Sequence, residues 1–146
     1  MIDISSKEIV ERTATASGYI RLQESTVRRI NEKAVKKGDV LETARVAGMS
    51  AAKRTWDLIP YCHQIPITSV NVEFDVSSNG IKTSCTVKAT YRTGVEMEAV
   101  NCVEIALLTI WDMVKYLEKD KEGQYPNTEI SSVKVDSKRK VRIGDS

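Results

Sequence analysis

The sequence predicts an α+β fold in a single domain that covers residues 1–146. Two observations carry this prediction. Apolar and polar residues alternate on both sides of the Ser-Ser-Asn-Gly segment at residues 77–80, which is typical of a β-hairpin. Elsewhere, and most clearly over residues 96–119, apolar residues recur at the spacing of a helix with a buried face. A chain of this length can bury a core of its own without disulfide bonds.

The first two predicted elements are a strand and a helix. Residues 14–22 carry the apolar side chains of a strand, and Gly18 is expected to break it. From Ser25 onward apolar residues recur at helical spacing, and Gly38 is expected to be the C-cap of this helix.

A second helix and a hairpin are predicted to follow. Asp39 and Glu42 form a capping-box pattern, so this helix is expected to begin there and to run until Pro60 ends it. Its many small residues favour close packing against a neighbouring element. Residues 70–76 and 81–91 are the two strands of the hairpin, and the alternation leaves each with one buried face.

The last two predicted elements are a long helix and a strand. Residues 93–96 form a second capping-box pattern, which begins a helix that extends to about Lys119. Residues 130–138 supply the final strand. The resulting order is that of a ferredoxin-like antiparallel sheet packed by helices, with an extra helix in the first crossover.

Composition excludes several functional classes. The chain has 22 Lys and Arg against 20 Asp and Glu, so binding of a nucleic acid or a membrane through bulk charge is disfavoured. An RNA-binding sheet is disfavoured too, because the hairpin strands do not carry paired exposed aromatic residues. Cys62, Cys85 and Cys102 form no CxxC pair, which predicts neither a zinc site nor a disulfide scaffold. Without a signal peptide or an apolar run of 18 residues, the chain is expected to be cytoplasmic.

The chemically densest segment is residues 51–63, which ends in the only histidine of the chain. His63 is the one side chain whose ordinary pKa lies near neutrality. A structural hydrogen-bonding role is the plainer interpretation of a lone histidine. Cys62 has no base in triad order, so covalent catalysis is not supported and packing is the simpler role for this cysteine.

A polar stripe crosses the predicted long helix. Asp112 and Lys115 are one turn apart within it, and they form either an ordinary surface ion pair or a general acid and base pair. Glu98 is fourteen positions before Asp112, which corresponds to about 21 Å along a helix. Both acids can therefore serve one compact site only if the site is elongated or shared between subunits. The stripe consists of Glu98, Asn101, Glu104, Asp112 and Lys115.

Two acids and two basic segments are further candidates. Glu96 is explained by the capping box, whereas Glu98 would suit a substrate with a hydrogen-bond donor edge such as that of guanine. Lys37 is expected near a helix C-terminus, where it either interacts with the helix dipole or binds phosphate. Lys53 precedes the segment of His63 and could help to hold a polyphosphate, although a solvated position is the simpler interpretation.

Four blocks of this chain resemble the MoaC family, the cyclic pyranopterin monophosphate synthases of molybdenum cofactor biosynthesis. They are residues 37–40, 51–63, 93–99 and 108–115, and the resemblance runs from about Asp3 to Lys138. It implies a ferredoxin-like subunit of a homohexamer, a trimer of dimers with active sites at subunit interfaces. The implied reaction converts (8S)-3′,8-cyclo-7,8-dihydroguanosine 5′-triphosphate into cyclic pyranopterin monophosphate and pyrophosphate.

The resemblance also implies roles for individual residues. Asp112 and Lys115 are similar to the catalytic acid and base pair of the family. The implied substrate-binding residues are Tyr61, Cys62, His63, Glu96, Met97, Glu98, Lys37, Arg12 and Lys53. Among these, the glutamates would face the guanine-derived edge, and the basic residues would hold phosphate or move protons. No resident metal or cofactor is expected, and participation of Mg²⁺ with the triphosphate is left open.

This chain departs from the family pattern at three places. Tyr61 stands where many members have leucine, and residues 64–65 are Gln-Ile in place of Pro-Leu. The glycines of the family's C-terminal tail are absent from residues 134–140, so the resemblance carries no role over to Lys138. A noncatalytic nucleotide-binding or assembly subunit of the same fold is the alternative function. The presence of Asp112 and its partner residues argues against that alternative.

Overall fold

The protein is described by a computed structural model over residues 1–144, which contain four strands and four helices. The predicted α+β fold, an antiparallel sheet packed by helices, is confirmed. Within residues 1–144 no helix is long and apolar enough to cross a membrane. In chain order the elements are β1 (Val10–Arg21), α1 (Glu24–Asn31), α2 (Val40–Lys53), α3 (Thr55–Leu58), β2 (Ile67–Ser77), β3 (Gly80–Tyr91), α4 (Glu96–Glu118) and β4 (Glu129–Val141).

The four strands form one antiparallel sheet in the order β2-β3-β1-β4. This confirms the predicted hairpin and final strand, both of which are longer than the sequence pattern indicated. Alternate residues of β1, such as Ala14, Ala16 and Ile20, are buried beneath the helices. The other face of the sheet is polar, and there Thr15 and Thr86 form a hydrogen bond of 2.9 Å between their hydroxyls.

The predicted break at Gly18 is wrong for the side of β1 that pairs with β3, where the register is continuous and Gly18 lies opposite Thr83. The glycine instead provides space for α4. A Cβ atom at this position would lie 2.8 Å from Leu107 Cδ1, which is closer than packed atoms approach. On the β4 side the register does shift, between Ser17 and Tyr19.

The first helix ends seven residues earlier than the predicted C-cap at Gly38, because a different motif closes it after Asn31. Lys33 adopts a left-handed conformation with φ of 55°. The amide of Ala34 donates to the carbonyl of Arg29 at 2.9 Å, and the amide of Lys33 donates to that of Ile30 at 3.1 Å. This pair of bonds is a Schellman motif, which usually has glycine at the left-handed position.

Replacement of Lys33 with glycine is expected to stabilise the fold by about 1 kcal/mol, because glycine adopts the left-handed conformation without steric cost. The exposed ion pair of Lys33 with Asp39, at 3.8 Å, contributes little that could be lost. Urea unfolding of the two proteins measures the difference. Alanine at position 33 is the control and should give no comparable gain; equal stability of the glycine and wild-type proteins would contradict the prediction.

The two predicted capping boxes differ in outcome. Asp39 accepts a hydrogen bond from the amide of Glu42 at 3.1 Å, so half of the first box is confirmed. The second box is wrong. The N-cap of α4 is Val95, which has no side-chain capping bond, and the residues predicted to cap each other, Thr93 and Glu96, lie before and at the first helical position. Glu96 is thereby left available for another partner.

The second predicted helix is divided in two before it reaches Pro60. α2 ends at Lys53, and the one-turn helix α3 follows it. The buried hydroxyl of Thr55 donates to the carbonyl of Ala51 at 3.1 Å, and the amide of Asn101 on α4 donates to the same carbonyl at 3.0 Å. Asn101 of the predicted polar stripe therefore has a structural role. The break directs the chain toward the N-terminal end of α4.

Candidate active site

A groove of about 750 Å³ lies beside the first turn of α4. Three segments form its walls: the N-terminal residues, the loop after α3, and the start of α4 together with part of β4. Six residues predicted from the sequence line it, namely Tyr61, Cys62, His63, Glu96, Met97 and Glu98. The structure adds lining residues for which the sequence predicted no role, including Ile2, Ile4, Lys7, Ile65 and Lys138. The groove is therefore the main candidate site.

Glu98 is the most perturbed acid of the groove. Only 3% of the surface of Glu98 is exposed, although this residue lies in the first turn of α4. Burial raises the pKa of its carboxyl group to about 7, and the charge of the nearby Glu96 acts in the same direction. Glu98 therefore gains and loses a proton near neutral pH, which is the property required of a general acid or base.

Glu96 shows the opposite behaviour two residues earlier. Burial acts to raise the pKa of its carboxyl group, but the ammonium of Lys138 at 2.9 Å outweighs this, and the pKa lies below its usual value. Lys138 pairs with Ala14 across the sheet and so projects from the helix-covered face. Two acids in one groove thus have different charges near pH 7, and Glu96 stays ionised.

A second cavity of about 390 Å³ adjoins the groove and is strongly basic. Arg12 is half-buried and lines this cavity. Its Nε donates a hydrogen bond to the carbonyl of Tyr91 at 3.3 Å. Glu96 is the one carboxylate among its lining residues. Five cations line the cavity: Lys7, Arg12, Lys138, Arg139 and Lys140. This composition suits a phosphate group or a polyphosphate.

Cys62 and His63 lie in the loop after α3 and line the groove. Burial and the charge of Glu98 raise the pKa of the Cys62 thiol, so it is uncharged at neutral pH and is not activated as a nucleophile. His63 Nε2 lies 2.7 Å from the carbonyl oxygen of Ile2. Because a carbonyl oxygen can only accept, this ring nitrogen is the donor.

Asp112 belongs to a second cluster that does not line the groove. Its carboxylate lies 3.0 Å from the ammonium of Lys115 and 3.3 Å from that of Lys37. Hydrogen bonds from Lys115 first and Lys37 second lower the pKa of Asp112, and the same contact with Asp112 raises the pKa of Lys115. Lys37 also donates to the main-chain carbonyl of Asp112 at 2.7 Å. The cluster is exposed, and Asp112 and Lys115 are both charged at neutral pH.

A single copy of the chain does not bring the two clusters together. Glu98 and Asp112 are fourteen positions apart on the continuous helix α4, which separates them by about 21 Å. Lys53 belongs to neither cluster, since it lies exposed at the end of α2 and is not among the residues lining the groove. Within residues 1–144, no group of three His, Cys, Asp or Glu side chains is arranged to hold a metal ion.

Comparison with known proteins places this chain in a family. The model of the MoaC family matches residues 1–141. A probable cyclic pyranopterin monophosphate synthase of Thermoplasma acidophilum is 56% identical over 98% of this chain and 100% of its own. A protein of the same name from Sulfolobus acidocaldarius is 56% identical over 96% and 98% of the two chains. A probable cyclic pyranopterin monophosphate synthase accessory protein of Methanothermobacter thermautotrophicus is 53% identical over 98% and 90%. The chain therefore belongs to the MoaC family.

Proposed function

We propose that this chain is a cyclic pyranopterin monophosphate synthase of molybdenum cofactor biosynthesis. Its substrate would be (8S)-3′,8-cyclo-7,8-dihydroguanosine 5′-triphosphate, and its products cyclic pyranopterin monophosphate and pyrophosphate. The observation that carries this proposal is the groove, in which the two glutamates lie next to a cavity lined by five cations. The two relatives with this name, each 56% identical over nearly the whole chain, support it.

The two parts of the site suit the two ends of this substrate. The guanine-derived edge carries hydrogen-bond donors, which the ionised carboxylate of Glu96 accepts. Glu98, with a pKa of about 7, can give or take a proton as the ring is rebuilt. The triphosphate would occupy the basic cavity, where Arg12 and Lys138 neutralise its charge. Where Mg²⁺ takes part, we propose that the triphosphate carries it.

We propose that the enzyme is a phosphorus-oxygen lyase, which closes the cyclic phosphate and releases pyrophosphate. A substrate hydroxyl attacks the α-phosphorus, the bond from that phosphorus to the pyrophosphate breaks, and the hydroxyl proton passes to a base. Asp112 is ionised and is the proposed base, although its bonds to two ammonium groups lower its proton affinity, so substrate must displace one of them before the proton passes to it. Lys115 supplies positive charge or returns a proton. These roles for Asp112 and Lys115 are part of the proposal.

We also propose a cytoplasmic homohexamer, a trimer of dimers in which the groove of one subunit faces the Asp112 cluster of another. The separation of about 21 Å along α4 supports a shared site. Large apolar side chains are exposed on the two longest helices, among them Val46 and Leu108, and association of subunits would bury such surface. Sedimentation velocity should give the mass of six chains, and a stable monomer would contradict a shared site.

The alternative function is a noncatalytic nucleotide-binding or assembly subunit. The name of the Methanothermobacter thermautotrophicus relative includes the words "accessory protein", which keeps this alternative in view. The alternative explains binding of the substrate. It gives no role to the raised pKa of Glu98 or to the charged cluster around Asp112. The synthase is therefore the better supported function.

Incubation of the purified protein with the cyclised dihydroguanosine triphosphate tests the proposal directly. We expect pyrophosphate and the cyclic phosphate to appear in equal amounts over many turnovers. Guanosine triphosphate is the matched control and should release no pyrophosphate. A folded oligomer that binds the substrate, as measured by calorimetry, but releases neither product would instead establish the noncatalytic function.

A further inference from the structure

The N-terminal segment, residues 1–7, contacts the only histidine of the chain through its backbone. The carbonyl oxygen of Ile2 accepts a hydrogen bond of 2.7 Å from His63 Nε2. Side chains of the same segment, including those of Ile2, Ile4 and Lys7, line the groove. The segment precedes β1 and belongs to no helix or strand.

Burial of apolar surface explains little of why this segment follows the groove, since only Ile4 is half-buried. The Met1 residue is 75% exposed and the Ile2 residue 80% exposed, so neither side chain gains much by leaving water. The segment is instead held by polar contacts. Arg92 donates through Nη1 to the carbonyls of Ser5 and Lys7, each at 2.9 Å, and Asp3 Oδ1 accepts from the amide of Ser5 at 2.9 Å.

The bond between Ile2 and His63 has a chemical consequence for the imidazole. A neutral imidazole carries one proton, and the carbonyl of Ile2 holds it on Nε2. Nδ1 is then the ring nitrogen with a lone pair, so it can accept a hydrogen bond or a proton. The orientation of the ring and its tautomer are both determined by a main-chain atom of the N-terminal segment.

We propose that this segment is a positioning element of the active site: the carbonyl of Ile2 fixes His63 in its Nε2–H form, and Arg92 holds the segment in place. The inference rests on the proposed synthase function in so far as it concerns substrate. Neither Ile2 nor Arg92 needs to touch the reacting atoms. Their effect passes through His63, whose fixed imidazole presents Nδ1 as an acceptor without an ordering cost on substrate binding.

Nuclear magnetic resonance of the imidazole tests this inference without substrate. Because the chain has one histidine, the side-chain nitrogen signals belong to His63 alone. Above neutral pH the wild-type protein should show a protonated Nε2, with its hydrogen protected from exchange. Arg92→Gln should abolish that protection. The matched control is Arg21→Gln, which removes a bond of 2.8 Å from another arginine to the carbonyl of Asn127, and it should leave the signal unchanged.

A second variant removes the acceptor itself. Deletion of residues 2–4 eliminates the carbonyl of Ile2 while leaving Arg92 intact, and it should reproduce the loss of protection with the other amide signals retained. The inference is overturned if the wild type lacks a protected Nε2 hydrogen, or if both variants keep it.

Kinetics provide a readout that a merely structural role would not give. Loss of a positioning hydrogen bond should raise KM by about tenfold in both variants and change kcat less, because the contact is made in ground and transition states alike. Equal losses in kcat without a change in KM would contradict the inference. A wild-type protein that shows the protected hydrogen but no turnover would instead refute only the synthase function.

Discussion

Replacement of Asp112 with asparagine is expected to lower kcat by about 10²–10⁴-fold, the range that a positioned general acid or base contributes. Asparagine has the same size, and its single side-chain oxygen can replace one of the two carboxylate oxygens, which bind Lys115 and Lys37 separately. The bond from Lys37 to the main-chain carbonyl of residue 112 is retained, so the local structure should persist. What it loses is the negative charge and the ability to take a proton. Steady-state pyrophosphate release measures the effect, and the KM of the variant should change much less than its kcat.

Asp57→Asn is the matched control for this substitution. Asp57 is an exposed aspartate paired at 3.2 Å with Arg54, three positions away, which reproduces the spacing of Asp112 and Lys115. It lies outside both clusters of site residues, so its variant should retain wild-type kcat within about twofold. A similar kcat for the Asp112 variant and the wild type would show that Asp112 is not catalytic.

Mixed oligomers extend the test to the shared site. If one subunit supplies Asp112 and another supplies Glu98, inactive Asp112→Asn and Glu98→Gln proteins should regain activity when they are dissociated and reassembled together. Random exchange in a symmetric assembly leaves about one quarter of the sites with both native acids. No recovery of activity in a mixed oligomer of confirmed composition would contradict a site shared in this way.

Replacement of Glu98 with glutamine is expected to reduce kcat by about 10²-fold or more and to remove a pH dependence near neutrality. In the wild type, burial holds the pKa of this carboxyl at about 7, so its protonation changes within the physiological range. Asp112 and Lys115 keep their charges there, because their pKa values are displaced away from neutrality. The pH profile of kcat should therefore lose a transition near pH 7 in the variant. An unchanged profile would assign that transition to another group.

The same residue should make the fold less stable as pH rises. The ordinary pKa of glutamate is 4.5, and that of Glu98 in the fold is about 7. Between these values the folded protein binds more protons than the unfolded chain, so the free energy of unfolding falls with increasing pH. The total loss is about 2 kcal/mol after allowance for solvent screening. The full loss in the free energy of unfolding is reached above pH 7.

Urea unfolding at pH 5 and pH 8 compares the two proteins. Glu98→Gln stays uncharged at both values, so the variant should be more stable than the wild type at pH 8 and close to it at pH 5. Glu96, whose pKa is lowered, influences stability only at more acidic values and does not obscure this comparison. Parallel stability of the two proteins over this range would contradict the raised pKa.

The elements that the sequence predicted correctly are those with a sustained hydrophobic period. The hairpin and α4 have such a period over ten or more residues each, and tertiary packing reinforces it. Apart from the predicted break at Gly18, the errors fall at helix ends. Lys33 takes a left-handed conformation that lysine disfavours, and the division before Thr55 depends on Asn101 from a distant helix. Neither feature has a local sequence pattern from which it could be predicted.

The candidate site shows the same contrast. The sequence predicts that residues close together in it, such as those at 61–63 and 96–98, contact the substrate, and the fold shows that both groups line one groove. The sequence around Lys138 departs from the family pattern and so predicts no role for this lysine, whereas strand pairing brings it to Glu96. The N-terminal segment has no periodic pattern, and it is held by main-chain atoms, which are the same for every residue type.

The continuous helix α4 also restricts how this chain can change in length. Glu98 and Asp112 lie on one rigid rod, so a single inserted residue between them would rotate one acid by about 100° relative to the other and advance it by about 1.5 Å. In a loop, such an insertion would be absorbed locally. In the symmetric assembly proposed above, it would misalign one of the two acids in every copy, because symmetry repeats the error at each interface. Insertions and deletions should therefore be far less acceptable in this helix than in the connection between α4 and β4.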